Sequence, residues 1–326
     1  MMLYHIISNT FPCKQHNVLL LLVCGIFFSA CNQSEPVHIL FAGDMMLDRG
    51  TRKTIEKNEI AYLFTDVQEV FKQQDMVLVN LEHPVCSDKL EARDKKYFFR
   101  ANPDWLPAIR TGGITHVALA NNHTGDYGKE GIQETMQELS RNHIAYVGAD
   151  STLLKPCEPV FIHKNGSKLA VFSNTLLYQQ ESSGCCNENS TALQGRIKAF
   201  KKTHPDYSII ICLHWGIEMD TLPSADQKVQ AHMFIDAGAD LIIGHHPHVV
   251  QPIEMYKGKY ICYSLGNFIF DTNTYPGNTG IFTCFDIRDN TITLVRVIPF
   301  ILSDSKPCIM TETDAEQFLH RKGIVF

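Results

Sequence analysis

The sequence predicts an α/β protein, a central sheet with helices packed on its faces, and two observations carry the prediction. Apolar runs of strand length recur along the chain at 37–42, 76–79, 117–120, 169–172, 209–213, 241–243 and 260–263, and segments of helical period lie between several of them. Most of these runs end in glycine or in carboxylate, amide and imidazole residues. The end of a buried strand is where α/β proteins place their chemistry.

Taken in order, residues 37–42 form a first buried strand ending in Gly43-Asp44-Met45-Met46-Leu47. From 54 to 73, Ile60, Leu63, Phe64, Val67, Val70 and Phe71 recur at helical spacing. The strand 76–79 ends in Asn80-Leu81-Glu82-His83-Pro84, and Pro84 stops it. The strand 117–120 ends in Asn121-Asn122-His123-Thr124-Gly125-Asp126, after which Ile132, Met136 and Leu139 mark an amphipathic helix. The second half repeats the pattern. Strands are expected at 169–172 and 209–213, the latter ending in His214-Trp215-Gly216-Ile217-Glu218. A helix through 227–237 leads to the strand 241–243, which opens at Gly244 into His245, His246 and His248. The strand 260–263 ends in Ser264-Leu265-Gly266-Asn267, and 280–287 with 291–300 alternate as a hairpin across Asp289-Asn290. The polar stretch 183–190 reads as a surface insertion.

The segment ahead of the first strand reads as a leader. Lys14 and His16 precede the apolar run 18–28, which is short for a bilayer span and suits a signal sequence. Phe28-Ser29-Ala30-Cys31 has the form of a bacterial lipobox, with Cys31 as the lipidated mature N-terminus; a plain cleaved signal or an uncleaved anchor is the alternative. The expected product is an exported lipoprotein of the cell envelope, periplasmic or at the surface, held to its membrane through Cys31. Its parts are a signal peptide (1–30), a lipidated linker (31–36), one domain (37–302) and a C-terminal tail with a short helix (303–326). A formal charge of −6 gives no basic field, which argues against nucleic acid as a partner. Among the cysteines, Cys212, Cys262 and Cys284 lie in apolar runs and are expected as small buried side chains. Cys185 and Cys186 are adjacent in a polar stretch, where an exported protein can pair one of them elsewhere. No CxxC spacing occurs, so a zinc ribbon is not supported.

Asp44, Glu82, Asn122 with His123, His214, and His246 with His248 all stand just after apolar strands. Singly, each has a plain structural use as a cap, a turn residue or a core histidine. Their repetition points instead to O and N ligands gathered from separate strand ends, a donor set for Mn, Fe or Zn. A carboxylate between two ions, with a position left for water, is the arrangement of two-metal hydrolysis.

The segments GDMMLDRG, VNLEHPV, LANNHTGDYG, LHWGIE, GHHPHVVQPIE and YSLGNFIFD occur in an order that resembles the CapA-type poly-γ-glutamate capsule-synthesis family. That family is similar to the calcineurin-like metallophosphoesterases, and the resemblance covers 37–271. It implies a four-layer sandwich of two mixed sheets flanked by helices. It also implies Asp44, Glu82, Asn122, His214, His246 and His248 as metal ligands, Glu82 as the bridge, and His123 as the acid beside the leaving group. Met46 stands where the phosphoesterases have a further histidine ligand, and a thioether is a poor donor to hard divalent ions. One ion is therefore expected on Glu82, Asn122, His214 and His246, held tightly. The other is expected on Asp44, Glu82 and His248, held weakly. Arg100 is expected to hold an anionic substrate group, with His245, Glu218 and Asn267 lining the substrate side.

Two functions follow as expectations. The first is a metal-dependent hydrolase or transferase of capsule or poly-γ-glutamate biosynthesis, using a metal-activated water on a phosphoester or amide bond. Its partners would be an anionic polymer or other envelope substrate and components of capsule synthesis or export. The second is a non-catalytic accessory protein that retains the fold and aids polymer synthesis or export; Met46 favours it, and the retained His123 argues against it.

Overall fold

The computed structural model describes residues 35–150, 157–177 and 184–324. The expected leader, Cys31 and Ser183 of the expected insertion lie outside the described residues. The chain enters on β1 (Val37–Met45), then α1 (Arg49–Asn58), a 3-10 turn (Ile60–Phe64) and α2 (Gln68–Lys72). Next come β2 (Met76–Leu81), α3 (Leu106–Thr111), β3 (His116–Ala118), α4 (Gly128–Arg141) and β4 (Ala145–Val147). The middle of the chain forms β5 (Val160–Lys164), β6 (Ser167–Thr175), α5 (Ser190–Thr203), β7 (Ser208–His214), α6 (Ala225–Ala237) and β8 (Leu241–His245). It ends with β9 (Ile253–Tyr256), β10 (Lys259–Cys262), β11 (Asn267–Ile269), β12 (Thr279–Arg288), β13 (Thr291–Ser303), β14 (Lys306–Ile309) and α7 (Glu312–Arg321).

These strands form two mixed sheets. The first runs β14-β13-β12-β1-β2-β3-β4 with β11 also on β1, and the second runs β5-β6-β7-β8-β10-β9. The period-2 alternation of strand side chains explains the layering. On β1 and β2, Val37, Ile39, Phe41, Met76 and Leu78 point between the sheets, joining Leu169, Val171, Ile210, Cys212, Leu241 and Ile243 from β6, β7 and β8. The alternate residues Leu40, Ala42, Val77 and Val79 face the helices of the first half, packing with Ile55, Phe71, Ile132 and Leu139. On the far side, Ala170, Phe172, Ile209, Ile211 and Ile242 pack against Leu193 and Ile197 of α5 and Phe234 of α6. Strands buried on both faces read as unbroken apolar runs, which is how they were legible. The resulting order is helices, sheet, sheet, helices.

Several expectations need correction. The helical pattern over 54–73 is not one helix. Glu59 takes φ 66° with its N–H bonded to the Ile55 carbonyl, and the chain continues as the 3-10 turn and α2. Ile60, Leu63, Phe64, Val67 and Phe71 are buried all the same, because short segments in series preserve the period. The expected insertion lies only partly at the surface: Asn187 and Asn189 are exposed, but Cys185 and Cys186 are buried and Cys186 is bonded to Cys157. Past Leu302, where a tail with a short helix was expected, that helix is α7, whose Phe318 enters the core between the sheets, and β14 pairs with β13 ahead of it. Cys212, Cys262 and Cys284 are buried as expected. The hairpin turn Asp289-Asn290 has φ 49° and 62°, the pair of positive values a two-residue type I′ turn requires. Among the described residues no helix is long and apolar enough to cross a membrane.

Candidate metal centre

The parallel strands β1, β2, β3, β7 and β8 bring their C-terminal ends to a common cluster. β1 runs past its predicted end because β11 pairs with it, placing Asp44 opposite Asn267. The approach is so close that a Cβ on Gly43 would lie 1.8 Å from the Gly266 carbonyl oxygen, and only glycine fits. Gly244 plays the same part in β8, where a Cβ would meet the Tyr263 carbonyl oxygen at 1.9 Å. Beyond it, His246 and His248 take φ 97° and 56°, a conformation that non-glycine residues keep only when the surroundings enforce it. Part of the enforcement is a hydrogen bond from the His246 N–H to Asp44 Oδ2 at 3.2 Å.

Asp44, Glu82 and His214 are buried and offer ligand atoms within 4.8 Å of one another; Glu218, His246 and His248 form a second such group. His248 links the two, with Nδ1 3.2 Å from Asp44 Oδ2 and Nε2 3.4 Å from Glu82 Oε1. His214 Nε2 lies 2.8 Å from Asn122 Oδ1. Two donors held at about 2.1 Å from one ion stand roughly 3.0–3.4 Å apart, so these separations are of the order a shared cation requires. Glu82 Oε1 and His246 Nδ1 are buried with no hydrogen-bond partner among the described residues, a costly arrangement for polar atoms that a cation would relieve. The donor set and these two unsatisfied atoms fit a divalent metal.

The electrostatics agree. Burial, with Asp44, Glu218 and Asp126 nearby, pushes Glu82 well above the ordinary carboxylate value, and His248 offsets only part of this. Burial also works against ionised Asp44, but the bond and charge from His248, helped by His245 and Asn80, hold it below the usual value. His248 is pushed up to about 10, since Glu82 and Asp44 outweigh its burial. Burial and the neighbouring histidines hold His214 well below the ordinary imidazole value, and His246 is lowered to about 4 by burial and then by His248. Both are neutral imidazoles at physiological pH, the form that binds metal.

His123 stands beside the cluster. Its Nδ1–H donates to Asp126 Oδ2 at 2.8 Å, which leaves Nε2 as the nitrogen open to proton exchange. Asp126 is fully buried, also accepts from the Phe99 N–H at 2.9 Å, and pairs with Lys95. Phe99 packs on the His123 ring, centroids 4.2 Å apart, and the Arg49 guanidinium lies 5.7 Å from the Phe99 ring centre.

Asp44, Glu82, Asn122, His214, His246 and His248 are thus brought together, with His123 beside them. His248 lies against Asp44 and Glu82, and the His214 and His246 rings stand 4.8 Å apart. Glu218, expected on the substrate side, is exposed yet falls within the second ligand group. His245 is buried, and its Nε2 donates to the Ala42 carbonyl of β1, so it joins the two sheets and is not open to substrate. Asn267 is occupied in holding His248, accepting from Nδ1 at 2.9 Å and donating to the His248 and Gly277 carbonyls. Arg100 donates to the Ser87 carbonyl and lies over Tyr127, so it braces a loop; Arg49 is the cation packed toward the acid. Met46 is buried in the helix-side core, its sulfur accepting from the Asp48 N–H. Sequence reasoning missed Asn80, Asp126, Phe99 and Arg49. Two of them had a signal: Asp126 stands three residues after His123 in the same loop, and Asn80 directly follows the apolar run 76–79.

The family model of the bacterial capsule synthesis protein PGA_cap matches residues 38–272. The capsule biosynthesis protein CapA of Bacillus anthracis is 31% identical over 302 residues, spanning 89% of this chain and 73% of that protein. The PGA biosynthesis protein CapA of Bacillus subtilis (strain 168) is 30% identical over 285 residues, spanning 85% and 74%. Among solved structures, a novel phosphatase of Mycoplasma pneumoniae is similar in fold, with a TM-score of 0.53 at 12% identity over 84% of this chain and 96% of that one. The two mixed sheets flanked by helices are the calcineurin-like metallophosphoesterase sandwich. By these matches, the chain belongs to the bacterial capsule synthesis protein PGA_cap family.

Proposed function

We propose that this protein is a divalent-metal-dependent hydrolase or transferase acting on a phosphoester or amide bond in capsule or poly-γ-glutamate biosynthesis. The observation that carries the reading is a buried carboxylate and imidazole cluster with unsatisfied ligand atoms, set beside a histidine whose Nδ1 is held by a buried aspartate. The names of the relatives support the process, and the fold supports the class of chemistry. Bound Mn, Fe or Zn would polarise the electrophile and activate water.

The residues have separate tasks. Glu82, Asn122, His214 and His246 would hold one ion in a buried, braced setting. Asp44, Glu82 and His248 would hold the other, with the exposed Glu218 near His248, and having fewer protein ligands it would be held less tightly. Burial keeps His123 below the ordinary histidine value and Asp126 offsets part of this; an anionic substrate would favour the protonated form and let Nε2 protonate the leaving group. Arg49 pairs through Nε with Asp271 at 3.0 Å, and its half-exposed guanidinium would hold an anionic group of the substrate through its remaining N–H groups. The protein is exported and anchored through lipid on Cys31, where it meets an anionic polymer or envelope substrate and components of capsule synthesis or export.

Met46, packed into the core and not available as a ligand, is the observation favouring an accessory role without turnover. Metal analysis of the purified protein, with turnover of a phosphodiester and of a γ-glutamyl anilide after loading with Mn, Fe or Zn, separates the two. Stoichiometric metal with metal-dependent turnover is expected. Metal without turnover of any ester or amide tested would favour the accessory role.

A further inference from the structure

We propose that Asn80 sets the way both carboxylates meet the cation, reserving one oxygen of each and thereby selecting small divalent ions over Ca²⁺. This deepens the reading of the cluster as a metal site and rests on it. Asn80 is buried between the two acids. Its Nδ2 donates to Asp44 Oδ1 at 2.8 Å and to Glu82 Oε2 at 3.3 Å, and lies 3.4 Å from His214 Nδ1. An amide nitrogen carries two hydrogens, so the two carboxylates account for both.

The network also decides which end of the amide faces the acids. Asn121, itself buried, places Nδ2 2.8 Å from the Leu81 carbonyl, which can only accept. The same Nδ2 donates to Asn80 Oδ1 at 3.0 Å, so the opposite, donating end of Asn80 must point at Asp44 and Glu82. Asn121 Oδ1 in turn accepts from the His123 N–H at 3.0 Å and the Thr124 hydroxyl at 3.1 Å. The two amides tie the loops after β2 and β3 to the end of β1.

With Asp44 Oδ1 and Glu82 Oε2 turned to Asn80, the oxygens facing the histidines and a cation are Asp44 Oδ2, which also accepts from the His246 N–H at 3.2 Å, and Glu82 Oε1. The latter is the buried oxygen without a hydrogen-bond partner among the described residues. Each acid is thus a one-oxygen ligand. Ca²⁺ takes about 6–8 oxygens and often binds carboxylates through both, whereas Mn, Fe and Zn accept fewer, closer donors with imidazole among them. Asn80 is a positioning residue that acts through the carboxylates.

The test is calorimetric titration of the full chain with Mn²⁺ and with Ca²⁺, for wild type, Asn80→Ser and Asn80→Ala, with melting temperature measured without metal. Asn80→Ala should weaken Mn²⁺ by about 10–100-fold, the usual cost of losing a group that orients a ligand, and narrow the preference for Mn²⁺ over Ca²⁺. Asn80→Ser, with one donor, should fall between, and it carries the test if the alanine variant does not fold. Unchanged Mn²⁺ affinity and an unchanged ratio of Mn²⁺ to Ca²⁺ would overturn the inference while leaving the metal site intact. A wild-type protein that binds no Mn²⁺, Fe²⁺ or Zn²⁺ would overturn the metal-site reading itself, and the inference with it.

Discussion

Replacing Asp126 by asparagine keeps its size and removes its charge, and the structure allows the effect to be sized. The carboxylate is fully buried among donors: His123 Nδ1 at 2.8 Å and the Phe99 N–H at 2.9 Å on Oδ2, and Lys95 on Oδ1. An amide cannot satisfy this set, because its NH₂ must face either Lys95 or the His123 and Phe99 donors. A hydrogen bond to a charged group contributes about 1.5–3 kcal/mol, and losing one from the protonated His123 state corresponds to roughly 10–150-fold in rate. His123→Ala removes the acid altogether and should cost about 10²–10⁴-fold. The double variant should lose no more than His123→Ala alone, since the two residues act as one unit. The assay is steady-state turnover of a phosphodiester and a γ-glutamyl anilide by metal-loaded protein, with metal content measured in parallel. Wild-type turnover in Asp126→Asn, or a double variant whose loss equals the product of the single losses, would refute the reasoning.

Three further outcomes are expected. His214→Ala should strip the tighter ion, whereas His248→Ala should weaken only the looser one; elemental analysis after dialysis distinguishes them, and equal retention in both variants would show that the ligands are wrongly grouped. Cys157→Ser with Cys186→Ser opens a loop whose ends are 29 residues apart, which should lower the unfolding free energy by about 3–4 kcal/mol in urea titration; an unshifted midpoint would mean that the bond constrains nothing. Cys31→Ser should release the protein from membranes, because acyl burial is the proposed anchor, and continued sedimentation with membranes would count against the lipobox.

Much of the architecture was legible because burial leaves a local trace. Strands covered on both faces must be apolar throughout, so β1, β2, β7 and β8 announced themselves, and the polar residues just past them marked the site. The positive φ values at Asp289 and Asn290 are likewise a local property of the residue types that tolerate them. The edge strand β5 and the three-residue strands β4 and β11 left no such trace, since short or half-exposed strands carry mixed side chains. Cys157 had no local mark of its partner either.

The sequence by itself therefore determined the buried strands, the helices between them and the inventory of ligands at the strand ends, while its pattern alone pointed to one central sheet where there are two. Only the tertiary structure decided how that inventory is assembled. His246 and Asp44 are 202 residues apart in the chain and meet at 3.2 Å, so no local pattern records their pairing. The same is true of Asn80 beneath both carboxylates, of Asn267 behind His248, and of His245 turned toward β1. Residue type and spacing govern which backbone forms and which face is buried. Which side chain then meets which is set by the packing of two sheets against each other, and that is where the chemistry of this site was arranged.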